Sequence, residues 1–278
     1  MIIPKHTEIF IKEMERRGYS PNTVVNYTAN IQMFFNYFKS KEHPLHINEN
    51  DIKEYLGQYK QFNTQRSHHG AIKLYYNICL GQKEKFKYIP YVRKEKKLPI
   101  ILSVEEIQRM FDVCENLKHK VILALLYSCS LRVSELINLK WEHIDRSRMV
   151  INILQAKGKK DRQVGLNDKL IQLLTDYYKQ YRPVIYVLNG QSGTPQYSNE
   201  SVLQVVKNLA AKAGIKNKRV YTHLIRHCSA THMVEKGIDL NLIQRLLGHS
   251  SVKTTAIYAH ISHNLISKIE SPLAQISL

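Results

Sequence analysis

The sequence predicts a mainly α protein of two domains: an N-terminal helical bundle over residues 1–82, and an α-rich domain over 100–278 carrying a small antiparallel β-sheet. Three observations lead there. Apolar residues recur at helical spacing on both sides of a basic stretch, residues 83–99, that holds two prolines and shows no periodicity. Two β-rich runs, Met149 to Leu154 and Arg162 to Leu166, flank a charged tip. The 278 residues, 44% of them hydrophobic, suffice to bury a core.

In chain order, Ser20 and Pro21 supply an N-cap and a first-turn proline. Val24, Tyr27, Ile31, Phe34, Phe35 and Phe38 then mark one helical face. Asn48 to Asp51 starts another helix, and Thr64 to Leu80 a further one. Residues 83–99 read as an extended linker whose charge suits a strap along a polyanion, with a merely solvated charge run as the alternative. Ser103 to Glu106 has the capping-box pattern, followed by Ile107, Met110, Phe111 and Cys114 on one face. His119 to Tyr127 is more uniformly apolar and reads as a buried helix. The hairpin spans residues 149–166, and the chain is helical again from Asp168.

Forty-one Lys and Arg against 23 Asp and Glu give a net charge of +18. That excess points to a polyanionic partner, because neutralising phosphates releases their counterions. No run approaches the roughly 18 apolar residues of a membrane span, and the first residues lack the pattern of a secretory signal. Cys79, Cys114, Cys129 and Cys228 show no CxxC spacing, so reduced thiols in a cytoplasmic protein are expected, without structural zinc. His223 and His227 stand at i, i+4, but no metalloprotease glutamate follows the first, and no set of acidic residues suggests a two-metal site.

Four segments carry chemistry-bearing side chains in a suggestive order: Leu131-Arg132-Val133-Ser134-Glu135-Leu136, Lys157 in the hairpin tip, His223-Leu224-Ile225-Arg226, and Leu246-Leu247-Gly248-His249 followed by Tyr258. Nine residues of unbroken helix turn through about 900°, so His249 and Tyr258 share a site only if the helix breaks between them. Gly248 to Ser251 can supply that break.

In these segments, and in the Ser-Pro-Asn-Thr start of the bundle, the chain resembles the tyrosine recombinase, or phage integrase, family. It is most similar to the short Xer-like and transposon-encoded members. The resemblance covers nearly the whole chain. It implies a two-domain clamp on double-stranded DNA: an N-terminal SAM-like core-binding domain (1–82), the basic linker (83–99), and a catalytic domain with a C-terminal tail (100–278). The family has Gly two positions before its first arginine where this chain has Ser130, a turn that glycine adopts freely. It has leucine where this chain has Ile225.

The resemblance also implies roles. Arg132 and Arg226 bind the non-bridging oxygens of the scissile phosphate, and Tyr258 is the nucleophile that forms a 3′-phosphotyrosyl bond. His223 takes the phenol proton and His249 hydrogen-bonds the phosphate. Lys157 protonates the departing 5′-oxygen, with Lys159 as rival. Glu135 is a carboxylate that orients the arginines and histidines. Lys94, Lys96, Lys97, Lys159 and Lys160 are expected to contact DNA. Neither metal nor cofactor is expected, because two guanidiniums and a lysine can do the charge work of Mg²⁺. The family assembles as a tetramer on synapsed DNA from a free monomer, with the apolar tail His263 to Leu278 inserting into a neighbour. Strand nicking and resealing by a monomer, as type IB topoisomerases do, and DNA binding without catalysis are the competing readings.

Overall fold

The computed structural model describes residues 3–41, 43–89, 91, 100–154, 161–190, 196–249 and 251–261. Residues 1–97 and 98–278 form two compact units.

In the first unit, α1 (Ile3–Arg16), α2 (Pro21–Tyr37), α3 (Glu49–Gly57) and α4 (Phe62–Leu80) are each started or stopped by local chemistry. Ser20 Oγ accepts the Thr23 amide at the head of α2. Asn48 and Asp51 cap α3 reciprocally. Gly81, at φ +67°, ends α4 in the left-handed conformation that favours glycine. The core is aromatic: Phe10, Phe34, Phe35, Tyr55, Tyr75 and Tyr76 are buried, and Phe34 meets Tyr55 edge-on at 5.1 Å between centroids. The stretch read as a linker does not begin loose. Glu84–Phe86 forms a 3-10 turn, and Phe86 and Ile89 are buried in this core. His69 Nε2 lies 2.8 Å from the Ile89 carbonyl. Burial of two apolar side chains therefore holds at least residues 86–89 to the bundle.

The second unit opens with α5 (Val104–Asp112), capped by Ser103 and Glu106, and α6 (Leu117–Ser128), where Val121 to Leu126 are all buried. After the short α7 (Val133–Ile137) come β1 (Ile144–Asp145), β2 (Val150–Ile153) and β3 (Arg162–Gly165), an antiparallel sheet in that order. Ile151 pairs with Val164, and both sides of that pair are buried. Sequence reading missed β1, whose two residues give no period and pair only because β2 lies beside them. Then follow α8 (Asp168–Tyr181), α9 (Asn199–Lys212), α10 (Thr222–Glu235), α11 (Leu240–Leu247) and α12 (Val252–Ile261). α10 is buried almost all round and carries the unit's centre.

Candidate active site

The site is built from five chain segments around one carboxylate. α7 starts at Arg132, whose backbone N–H donates to Glu135 Oε2 at 2.7 Å while its Nη1 donates to Oε1 at 2.7 Å. The helix thus caps itself with the residue three positions on, and that cap holds Arg132 in place. From β3, Arg162 donates Nη1 and Nη2 to the same two oxygens at 2.6 and 2.8 Å. Such paired, charge-assisted bonds are the strongest that side chains make. They hold the Glu135 carboxyl down to about 2, against the opposing effect of its burial.

Arg226 lies on α10, 4% exposed, with Nη1 3.9 Å from Glu135 Oε2. Its Nη1 donates to the Ser130 carbonyl and its Nη2 to the Leu247 carbonyl. Burial, and then the neighbouring Arg132, lower its pKa to about 10, so the guanidinium stays charged at neutral pH. Ser130 has φ +48°, the left-handed backbone that glycine would adopt freely. It is fully buried, and its hydroxyl is 2.7 Å from that of Ser229 on α10. That bond ties the strained turn to the helix carrying Arg226.

α11 ends at Leu247, with Gly248 in the left-handed region at φ +60°. α12 begins at Val252, so the helical axis is interrupted between His249 and Tyr258. Both then face one place: their rings lie 6.4 Å apart and nearly parallel. His249 Nδ1 is 3.0 Å from Thr255 Oγ1. Burial, followed by the charges of Arg226 and Arg132, pushes the His249 imidazole down to about 4, so it is neutral at pH 7. Tyr258 is 2% exposed, among Ala230, Val234, Ile243 and Leu247. Burial raises its phenol above the ordinary value while Arg226 and Arg132 pull the other way.

The histidine on the phenol is His227, whose Nδ1 lies 2.9 Å from the Tyr258 hydroxyl. His223, to which the resemblance assigns that role, sits one turn earlier on α10, on an exposed position. Burial holds the His227 imidazole below its ordinary pKa, with His223 and Arg226 adding to the shift, so the neutral ring is favoured, and its Nε2–H tautomer can accept the phenol proton at Nδ1. From the sequence alone neither residue has a role in the site: His227 enters there as a possible zinc partner of His223, and Arg162 as the head of a strand. An arginine opening a short β-rich run, just after Lys157, Lys159 and Lys160 in the sequence, is the signal that was available for the second.

Arg132, Glu135, Arg226, His249 and Tyr258 are thus gathered in one place, with Arg162 and His227 added. Lys157, Lys159 and Lys160, the linker lysines Lys94, Lys96 and Lys97, and the tail from His263 lie outside the described residues.

Residues 101–264, more than half of the chain, match the Phage integrase family, and residues 7–85 match the phage integrase N-terminal SAM-like domain. The chain belongs to the phage integrase family. Among its relatives in this tyrosine recombinase family is the tyrosine recombinase XerA of Pyrococcus furiosus, 32% identical over 266 residues, 92% of this chain and 89% of that one. The tyrosine recombinase XerD of Staphylococcus aureus is 29% identical over 276 residues, 91% and 92% of the two chains. The fold is that of XerH bound to its palindromic difH substrate after cleavage (TM-score 0.73, 22% identity, 93% and 82% covered). It is also that of a lambda integrase dimer on a core site (TM-score 0.76, 17% identity, 91% and 97% covered). The stretch 101–264 that matches the family contains every residue of the site above.

Proposed function

We propose that this family member is a site-specific DNA recombinase that breaks and rejoins strands through Tyr258. The observation that carries the reading is the convergence of Arg132 and Arg226 with Tyr258, His227 and His249 in one site. A phosphodiester resists attack because the nucleophile meets negative oxygens, and transfer needs fixed donors for the charge that builds on them. A guanidinium has five N–H groups in a planar fork. Arg226 uses one on each of Ser130 and Leu247, and Arg132 uses one on Glu135 and one on the Gly248 carbonyl at 3.4 Å. Both therefore keep N–H groups for phosphate oxygens.

In the proposed step the Tyr258 oxygen attacks phosphorus and its proton passes to Nδ1 of His227. The bond to the 5′-oxygen breaks, and Lys157, or Lys159 in its place, supplies that oxygen's proton. The phosphotyrosyl ester keeps the energy of the broken bond, so rejoining needs no ATP. His223, exposed beside Arg226, is then left to hydrogen-bond a phosphate oxygen. The partner is double-stranded DNA carrying a recombination site, gripped by both units as a clamp, with Lys94, Lys96, Lys97, Lys159 and Lys160 on its backbone. The net charge of +18 supports this. Exchange would take place in a homotetramer on two duplexes, in the cytoplasm.

Covalent capture tests the reading: nicked fragments of the DNA flanking the gene, and then a genomic library, incubated in EDTA with wild type and Tyr258→Phe. An SDS-stable adduct with wild type alone is expected, and exchange between two duplexes should follow. Salt-sensitive binding with no adduct across the library would replace the reading with DNA binding alone.

A further inference from the structure

Arg162 differs from the two arginines that face phosphate. Its side chain, 6% exposed, is no more buried than that of Arg226, but all three of its guanidinium nitrogens are engaged: Nη1 and Nη2 with Glu135, and Nε with the Leu246 carbonyl at 2.7 Å. It is therefore built to hold protein rather than substrate. The turn that presents His249 is moulded on it, because a Cβ added to Gly248 would stand 3.0 Å from Arg162 Cδ. It also opens β3, five residues after Lys157 and three after Lys159.

Glu135 explains why such a residue is needed. A carboxylate offers about four lone-pair sites, and here Arg132, Arg162 and Arg226 surround it from α7, β3 and α10, with His223 also within its electrostatic reach. Left with free capacity, it would draw Arg132 and Arg226 inward and compete with a phosphate for their N–H groups. A lysine could not occupy both oxygens at once, because its ammonium is a point charge rather than a fork.

We propose that Arg162 is a positioning residue for strand cleavage: it saturates Glu135, which leaves Arg132 and Arg226 directed at phosphate, and it anchors the Leu246–His249 turn to the same carboxylate. The inference rests on the recombinase reading above. Arg162 acts only through Glu135 and that turn, never on DNA.

The test uses the full chain and the variants Arg162→Gln, Arg162→Lys, Glu135→Gln and the double Arg162→Gln/Glu135→Gln. Single-turnover adduct formation on nicked DNA is followed from pH 5 to 9, DNA affinity is measured alongside, and the Glu135 carboxyl is titrated by ¹³C NMR in the free protein. Arg162→Gln should slow adduct formation about 10²-fold or more, the size of losing one aligned donor, with DNA affinity kept within about three-fold. The Glu135 midpoint should rise by about one pH unit or more, since a charged partner is gone. Arg162→Lys should fall between, and the double variant should lose no more than the worse single one, because the two residues act as a unit. An Arg162→Gln rate near wild type, losses that multiply, or an unmoved Glu135 midpoint would each overturn the proposal. Should Arg162→Gln fail to fold, Arg162→Lys carries the same readouts. A wild-type protein that forms no adduct defeats the recombinase reading instead, while the Glu135 titration still decides whether Arg162 governs the carboxylate.

Discussion

His227 Nδ1 and the Tyr258 hydroxyl stand 2.9 Å apart, joining α10 to α12. The contact puts the candidate nucleophile under the control of the helix that also carries Arg226. It also selects between two histidines that motif matching alone treats differently. His227→Ala should slow Tyr258 adduct formation at pH 7 by about 10²-fold or more, the usual worth of a positioned proton acceptor, and by more than His223→Ala does. Single-turnover rates on nicked DNA decide it. A larger loss for His223→Ala would return the proton to His223.

Tyr258→Phe removes one hydroxyl from a side chain packed on Ala230, Val234, Ile243 and Leu247. Stability should change by no more than about 1.5 kcal/mol, the net worth of one hydrogen bond, and DNA affinity should stay within a few-fold. Adduct formation should vanish. A phenylalanine variant that still cuts would remove Tyr258 from the mechanism.

Glu135→Gln leaves three guanidiniums packed together without their carboxylate. Breaking a buried ion cluster from one side costs about 3 to 5 kcal/mol. For a domain of this size that corresponds to a fall in Tm of roughly 6–20 °C. A fall under about 2 °C in a thermal melt would mean that the carboxylate contributes little to holding the arginines.

Ser130 pays for its left-handed backbone with the bond to Ser229. The strain is worth about 1 kcal/mol or slightly more. Ser130→Gly relieves it but leaves the buried Ser229 hydroxyl without that partner, which costs a similar amount, so the single variant should be close to neutral. Adding Ser229→Ala should recover about 1 kcal/mol. Ser130→Ala keeps the strain and loses the bond, and should be the least stable of the three. Denaturant melts would rank them, and a strongly destabilised Ser130→Gly would contradict this account.

Acidification should destabilise the protein in two stages. The folded His249 imidazole titrates near about 4, below its ordinary value, so the unfolded chain binds the proton first and stability falls as pH drops from about 6.5 towards 4. Half-buried His227 acts in the same direction. Glu135 is depressed to about 2, so its contribution is complete above about 4.5 and is lost as pH falls towards 2. His249→Asn should flatten the upper stage and Glu135→Gln the lower one in Tm measured against pH. Unchanged slopes would show that neither group is linked to folding.

Local signals in the sequence predicted local structure well. Ser20, Asn48 and Ser103 each sit at the helix start that their side chains suggest, and Gly248 interrupts the chain where the His249–Tyr258 spacing requires it. What escaped depends on distant partners. Arg162 meets Glu135 across 27 residues and Leu246 across 84, and no window centred on either end contains the other. His227 is chosen over His223 by how α12 lies on α10, which periodicity within α10 cannot express. Phe86 and Ile89 look like ordinary linker residues until the bundle offers them a core.

The carbonyls that receive the guanidiniums have a common origin. Those of Leu246 and Leu247 belong to the last turn of α11, those of Ser130 and Gly248 lie at or just past the ends of α6 and α11, and such groups have no partner within a helix. Two helix ends, each bearing about half a negative charge, therefore stand beside Glu135 against three guanidiniums. The corner is left with an excess of about one positive charge, which a single phosphodiester cancels. By electrostatics alone the site is univalent: once one phosphate is seated, the field that drew it in is spent.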